Sequence, residues 1–270
     1  MLGLSDVLEL PAGVEAREGR LADDVRGVSV PMNPAARIVV AGAGRTLADI
    51  AEDIVAAFAL PQAQARDDVL AFVWQLNRLG LANVRRQDGL LAALVAWLAT
   101  ALRLLPAGTL PPLAARRVPL DTSHPARAAL GVVRGLLSRS LGLGLLTTLA
   151  VVPAASVLGS ALLALSLGLG AAAALVVHEA SHAVALAGAS SAALIVGGRR
   201  ISVVHAPIPS VRAQLVAAAG PLVPGLAGLA VAAVAAAAAM PALASAALPL
   251  AGHAIGLLAF TRDGRRACGI

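Results

Sequence analysis

The chain has 270 residues, 59% hydrophobic and only 13% charged, with a formal net charge of +6. A soluble domain carries about a quarter charged residues, so the composition excludes a disordered chain, argues against an ordinary soluble enzyme and points to a membrane protein. The single cysteine, Cys268, excludes an internal disulfide framework and a Cys-rich zinc site.

The net charge hides an asymmetry. Residues 1–88 carry nine Arg and twelve acids, whereas residues 89–270 carry twelve Arg and three acids: Asp121, Glu179 and Asp263. An ionisable group inside a bilayer costs about 2.5–3.5 kcal/mol. Glu179 and Asp263, the last two carboxylates of the chain, therefore each need a reason to be there. The opening stretch Met1–Asp6 has no basic segment and no long apolar run. No signal peptide is expected, and the first domain is expected to stay in the cytoplasm.

Residues 5–86 read as a small α+β domain. Residues 25–32 are β-prone. Asn33-Pro34 predicts an N-cap followed by Pro at the first helical position. Thr46 and Asp49 predict a capping box opening a helix whose Leu47, Ile50, Ile54, Val55 and Phe58 keep a 3.6-residue period. A third helix over residues 62–79 puts Val69, Phe72, Val73, Leu76 and Leu79 on one face, with Gly80 as C′ residue. Strands, three helices and an extended end over 81–84 make a winged-helix-like outline.

The stretches "NPAARIVVAGAGRTLADIAEDIV" and "ARDDVLAFVWQLNRLGL" resemble the PqqD-like family, also called the RiPP recognition element. The resemblance implies a domain that binds the leader of a ribosomally made precursor peptide, added as a strand to the sheet edge against the third helix. That role would fall on Val28, Val30, Asp67 and Arg78. A generic winged helix could instead bind DNA, but a DNA reader is basic and this domain is net acidic. No nucleic-acid partner is expected.

Residues 87–140 form a connector. The apolar run 90–105 is short for a span, which needs about 20 residues. If it crossed alone, Arg116, Arg117, Arg127, Arg134 and Arg139 would lie outside, against the positive-inside rule. The connector therefore reads as a membrane-surface or packing helix plus a basic juxtamembrane helix reaching Arg139.

Residues 141–270 read as an all-α polytopic membrane domain with a short β-hairpin. Four transmembrane helices are expected, over about 141–160, 161–187, 213–239 and 243–260. Threading them from a cytoplasmic N-terminus puts every flanking Arg inside, with both termini cytoplasmic in a multi-pass protein of the lipid bilayer. Apolar and turn residues around Gly197-Gly198 predict the hairpin. Its edge could hold an extended substrate; a simple loop is the alternative.

Within the second span stands His178-Glu179-Ala180-Ser181-His182. Two His four apart on a helix differ in direction by about 40°, so both rings reach one metal. Glu179 beside it can act as general base on water. A polar helix contact or a proton relay is the alternative. A catalytic Zn2+ needs a third protein ligand, and Asp263 stands at similar depth at the inner end of the fourth span. Gly264 after it permits close backbone approach.

The "HEASH" sequence, Ala219-Gly220-Pro221 and Asp263-Gly264 resemble the site-2 proteases, intramembrane zinc metalloproteases. The resemblance implies His178, His182 and Asp263 as zinc ligands, Glu179 as general base, and substrate-positioning roles near Gly220, Pro221 and Gly264. Two departures stand out. Pro224 occupies a position where the family has Asn, and the residues before Asp263 lack the family's Asn and Pro. His253 could supply the missing polar contact in substrate positioning; His253 and His205 are otherwise expected to pack or to support the ligands. The two resemblances together imply a zinc endopeptidase acting on a precursor or leader peptide. A regulatory intramembrane protease cutting a membrane-anchored partner, or a non-catalytic peptide-binding or immunity membrane protein, are the alternatives.

Overall fold

The computed structural model describes residues 2–87, 114–157, 160–197, 201–258 and 261–268. The apolar run 90–105 and the loop arginines Arg199 and Arg200 lie outside them. The chain divides into two compact units: Met1–Pro119 with Ala193–Ala206, and Leu120–Ala192 with Pro207–Ile270.

The first unit opens with four short strands: β1 (Val7–Glu9), β2 (Val14–Arg17), β3 (Arg20–Asp23) and β4 (Val28–Pro31). β2, β3 and β4 form an antiparallel meander in which Leu21 faces Val30 and Asp23 faces Val28. Glu18 and Gly19, both at positive φ, make the tight link between β2 and β3. The sequence reading anticipated only the last of these strands, because the others are short and too polar for a period-two signal.

Helices α1 (Pro34–Ala41), α2 (Leu47–Phe58) and α3 (Gln62–Arg78) follow. Asn33 accepts from the Ala36 N–H at 2.7 Å, and Thr46 and Asp49 cap α2 reciprocally, both as expected. Leu47, Ile50 and Ile54 of α2 meet Val69, Val73 and Leu76 of α3 in the core, with Leu8 and Val39. Phe58 and Leu79, assigned to the same stripes, are instead exposed at 41% and 46%, because each sits where its helix ends. Gly80 takes φ +70° as the expected C′ residue. β5 (Asn83–Arg85) pairs antiparallel with β1.

A later strand is sewn onto this domain. β6 (Arg116–Leu120) forms a sheet with β7 (Ala192–Val196) and β8 (Ile201–His205), in the order β6-β7-β8. The fully buried Asn77 amide bonds both Ala82 and Ala115, and Asn83 bonds the backbone N–H and carbonyl of Arg117. The Arg117 guanidinium grips Asp23 at 2.7 and 2.8 Å with both side chains buried. Arg117, read as a juxtamembrane charge, is thus an internal ion-pair partner. The hairpin strands are present, but by contacts most of the hairpin groups with the first unit rather than within 141–270.

The second unit is helical: α4 (Pro125–Val157), α5 (Ala161–Leu186), α6 (Ser210–Ala237), α7 (Pro241–Gly252), a 3-10 turn (His253–Leu257) and α8 (Arg262–Ala267). α5 packs against α4, α6 and α7. The basic juxtamembrane helix and the first span are one helix, α4, bent by 56° between Pro125–Leu137 and Ser140–Leu149. At the bend the Ser140 hydroxyl donates to the Leu137 carbonyl, the kind of back-bond that bends helices.

Of the four expected spans, two or three are evident among the described residues. Among the described residues α5 and α6 are long and apolar enough to cross a membrane, and three spans result if bent α4 is one. The fourth apolar segment breaks down: α7 ends after 12 residues and gives way to a tighter 3-10 turn, with Pro249 removing a backbone donor. Pro241–Leu257 is therefore a short apolar helix, below the length of a span.

Candidate metal centre

His178 and His182 lie one turn apart on α5, and their Nε2 atoms converge to 3.2 Å. Asp263, in the first turn of α8, brings Oδ2 to 3.4 Å from His178 Nε2 and 3.7 Å from His182 Nε2. The three expected ligands are therefore brought together, and among the described residues they form the one such cluster able to hold a metal ion. Four ligands arranged tetrahedrally at about 2.0–2.1 Å from zinc stand about 3.3 Å from one another, so the separations and the N, N, O donor set fit zinc.

The second nitrogen of His182 fixes its tautomer. Nδ1 lies 2.6 Å from the Val216 carbonyl of α6; a carbonyl only accepts, so Nδ1 carries the proton and Nε2 offers a lone pair. α6 supports α5 in two further ways along the same face. One turn before Val216, Arg212 donates to the last carbonyls of α5, Ala185 and Ala187, which lack helical partners. One turn after it, Gly220 leaves the space the His182 ring occupies, and a Cβ there would collide with the ring. Gly220 thus acts here as packing clearance for the His182 ring. Pro221, beside it, is buried within α6 against Gly256.

Asp263 is placed by a helix start. Thr261 caps α8 by accepting from the Gly264 N–H at 2.9 Å, and its hydroxyl donates to the Gly256 carbonyl. A Cβ at Gly264 would strike the Leu258 carbonyl, so glycine lets the chain turn tightly beside the ligand. The Asp263 side chain is 28% exposed and faces both imidazoles. Glu179, next to His178 in sequence, is buried at 6% exposure.

His253 stands next to this cluster and outside it. Its ring centre is 5.0 Å from that of His178, and its Nδ1 donates to the Pro249 carbonyl at 2.9 Å. His205 lies in the first unit on β8 and donates to the Ala206 carbonyl. The Val216 carbonyl and Arg212 escaped the sequence reading. A backbone acceptor has no sequence signature, and Arg212 reads as a flanking charge.

In the first unit, Val28 and Val30 stand on β4, an outer strand of its sheet, at 49% and 46% exposure. Asp67 and Arg78 are exposed on α3. A groove of about 490 Å³ opens nearby, lined by Ala36, Val39, Ile54, Phe58, Val69 and Phe72. Asp68, rather than Asp67, contributes to that lining. Phe58 and Phe72 were read only as core residues, since periodicity does not separate a core stripe from a groove wall.

No curated protein and no solved structure matches the chain. The match to a family model covers β3, β4, the helices α1 to α3 and the groove, and stops before the metal cluster. Residues 20–82 match coenzyme PQQ synthesis protein D (PqqD), so the resemblance read in this segment holds, and it is a PqqD domain.

Proposed function

We propose that this protein is a membrane-embedded zinc endopeptidase that captures a precursor peptide through its PqqD domain and removes the leader of a ribosomally synthesised, modified peptide. The observation that carries the reading is the convergence of His178 Nε2, His182 Nε2 and Asp263 Oδ2 beside buried Glu179. A metal ion bound there supplies Lewis acidity, which acidifies water and polarises a scissile carbonyl.

The chain's own groups do the rest. Asp263 and the two imidazoles would hold the ion, and the Val216 carbonyl fixes the His182 ring by accepting its Nδ1–H. Glu179 takes the proton of the attacking water and passes it to the leaving amine. The PqqD domain binds the leader as a strand along β4, at Val28 and Val30, with apolar leader side chains in the groove by Phe58 and Phe72. Tethering the peptide raises its effective concentration at the protease.

Incubation of the full-length protein in detergent with candidate precursor peptides, read by mass spectrometry, tests the reading. One pair of fragments that disappears when the leader is deleted supports it. Cleavage indifferent to the leader points to the regulatory protease, and binding with no cleavage points to a non-catalytic peptide-binding protein.

A further inference from the structure

Among the described residues, His178 Nδ1 is buried and makes no hydrogen bond. A metal-bound imidazole almost always donates its second N–H to an acceptor, which fixes the ring and raises its basicity. His182 follows that rule through Val216. His178 has no such partner in place, and the ring of His253 lies beside it, with ring centres 5.0 Å apart and planes inclined by 53°.

The tautomer of His253 decides what it can offer. Its Nδ1–H is committed to the Pro249 carbonyl, so Nε2 bears a lone pair and can only accept. A buried imidazole lacking an acceptor therefore stands next to an imidazole that presents one. An N–H···N hydrogen bond of about 3 Å between two imidazoles sets their centres about 5 Å apart, which is the separation found. His253 sits where α7 passes into the 3-10 turn.

We propose that His253 is the positioning residue of His178: its Nε2 accepts the His178 Nδ1–H when metal is bound, completing a relay from His178 through His253 to the Pro249 carbonyl. This role differs from contact with substrate, and it rests on reading His178, His182 and Asp263 as a metal site. A relay anchored on α7 would couple the metal affinity of α5 to the packing of the short apolar helix.

The test uses the full-length protein in detergent and zinc ion alone, titrated against a chromophoric chelator. His253→Leu is expected to weaken zinc binding about 10–100-fold while keeping one zinc per chain. His253→Gln, whose amide oxygen can accept, is expected to recover most of the loss. His182→Leu should abolish binding. Wild-type affinity in His253→Leu overturns the proposal and leaves the metal site standing. Equal weakness of the Leu and Gln variants overturns it as well, and loss of all zinc by His253→Leu marks His253 as a ligand instead. A wild type that binds no zinc removes the metal reading and this proposal together. Because His253→Leu could fail to fold, the wild type labelled with ¹⁵N-histidine gives a second readout. A protected His178 Nδ1–H coupled across the bond to a second imidazole nitrogen is expected, and its absence in the zinc-loaded protein overturns the relay.

Discussion

His182 donates its Nδ1–H to the Val216 carbonyl across 2.6 Å, so the orientation of a ligand on α5 is set by the backbone of α6. Gly220 lies one turn further along that face, against the His182 ring. Gly220→Ala should therefore push the ring off its carbonyl and weaken zinc binding by about 10–100-fold, measured by chelator competition. Unchanged affinity would show that the α5–α6 contact does not control the ligand.

Arg212 holds the last carbonyls of α5 from the same face. Arg212→Ala should cost about 1–2 kcal/mol, the order of a charged hydrogen bond to a helix end. Hydrogen exchange should report it as faster exchange confined to the last turn of α5. Exchange at the wild-type rate there would contradict the capping role.

The buried pair of Asp23 and Arg117 makes a pH-dependent prediction for the first unit. Burial alone would raise the Asp23 carboxyl, but hydrogen bonds from Arg117 and Arg26 outweigh it and hold the group below its ordinary value of 3.8. A depressed folded value stabilises the fold above the unfolded pKa, and the gain is lost as pH falls through the folded one. Arg117→Ala should destabilise the protein by about 3 kcal/mol at neutral pH by leaving Asp23 short of a partner in the interior. The gap between variant and wild-type thermal unfolding should narrow as pH drops below about 4. A gap that stays constant down to pH 3 would mean that Arg117 acts through packing alone.

Phe58 stands at the open end of α2 and lines the groove while 41% exposed. Phe58→Ser should weaken leader-peptide binding about tenfold, on the scale of about 1–2 kcal/mol for a partly buried apolar side chain. Fluorescence anisotropy with a labelled candidate leader measures it, with zinc content as the control. Undiminished peptide binding would place the leader elsewhere on the domain.

Local chemistry was the legible part of this chain. Asn33-Pro34 and the Thr46/Asp49 pair act within one helical turn, and their caps formed where expected. The His178/His182 spacing is likewise local, and Asp263 was found because so few acids remain after residue 121. What escaped depends on distant partners. Arg117 is buried by Asp23, 94 residues earlier, so in sequence it looks like one more basic flank. The strand that carries it has no periodicity to announce it. The last apolar segment has the composition of a span, yet its helix is cut short before His253, and composition does not report where a helix stops.

The most direct test of the central claim compares wild type with Glu179→Gln, at matched zinc content, in cleavage of a candidate precursor peptide. The substitution keeps the shape of the side chain and removes its capacity to take a proton. Zinc binding should be retained, and cleavage should fall by about 10²–10⁴-fold, the contribution of a general base. Equal cleavage by the two proteins would contradict the assignment of Glu179 and, with it, the reading of the cluster as a peptidase centre.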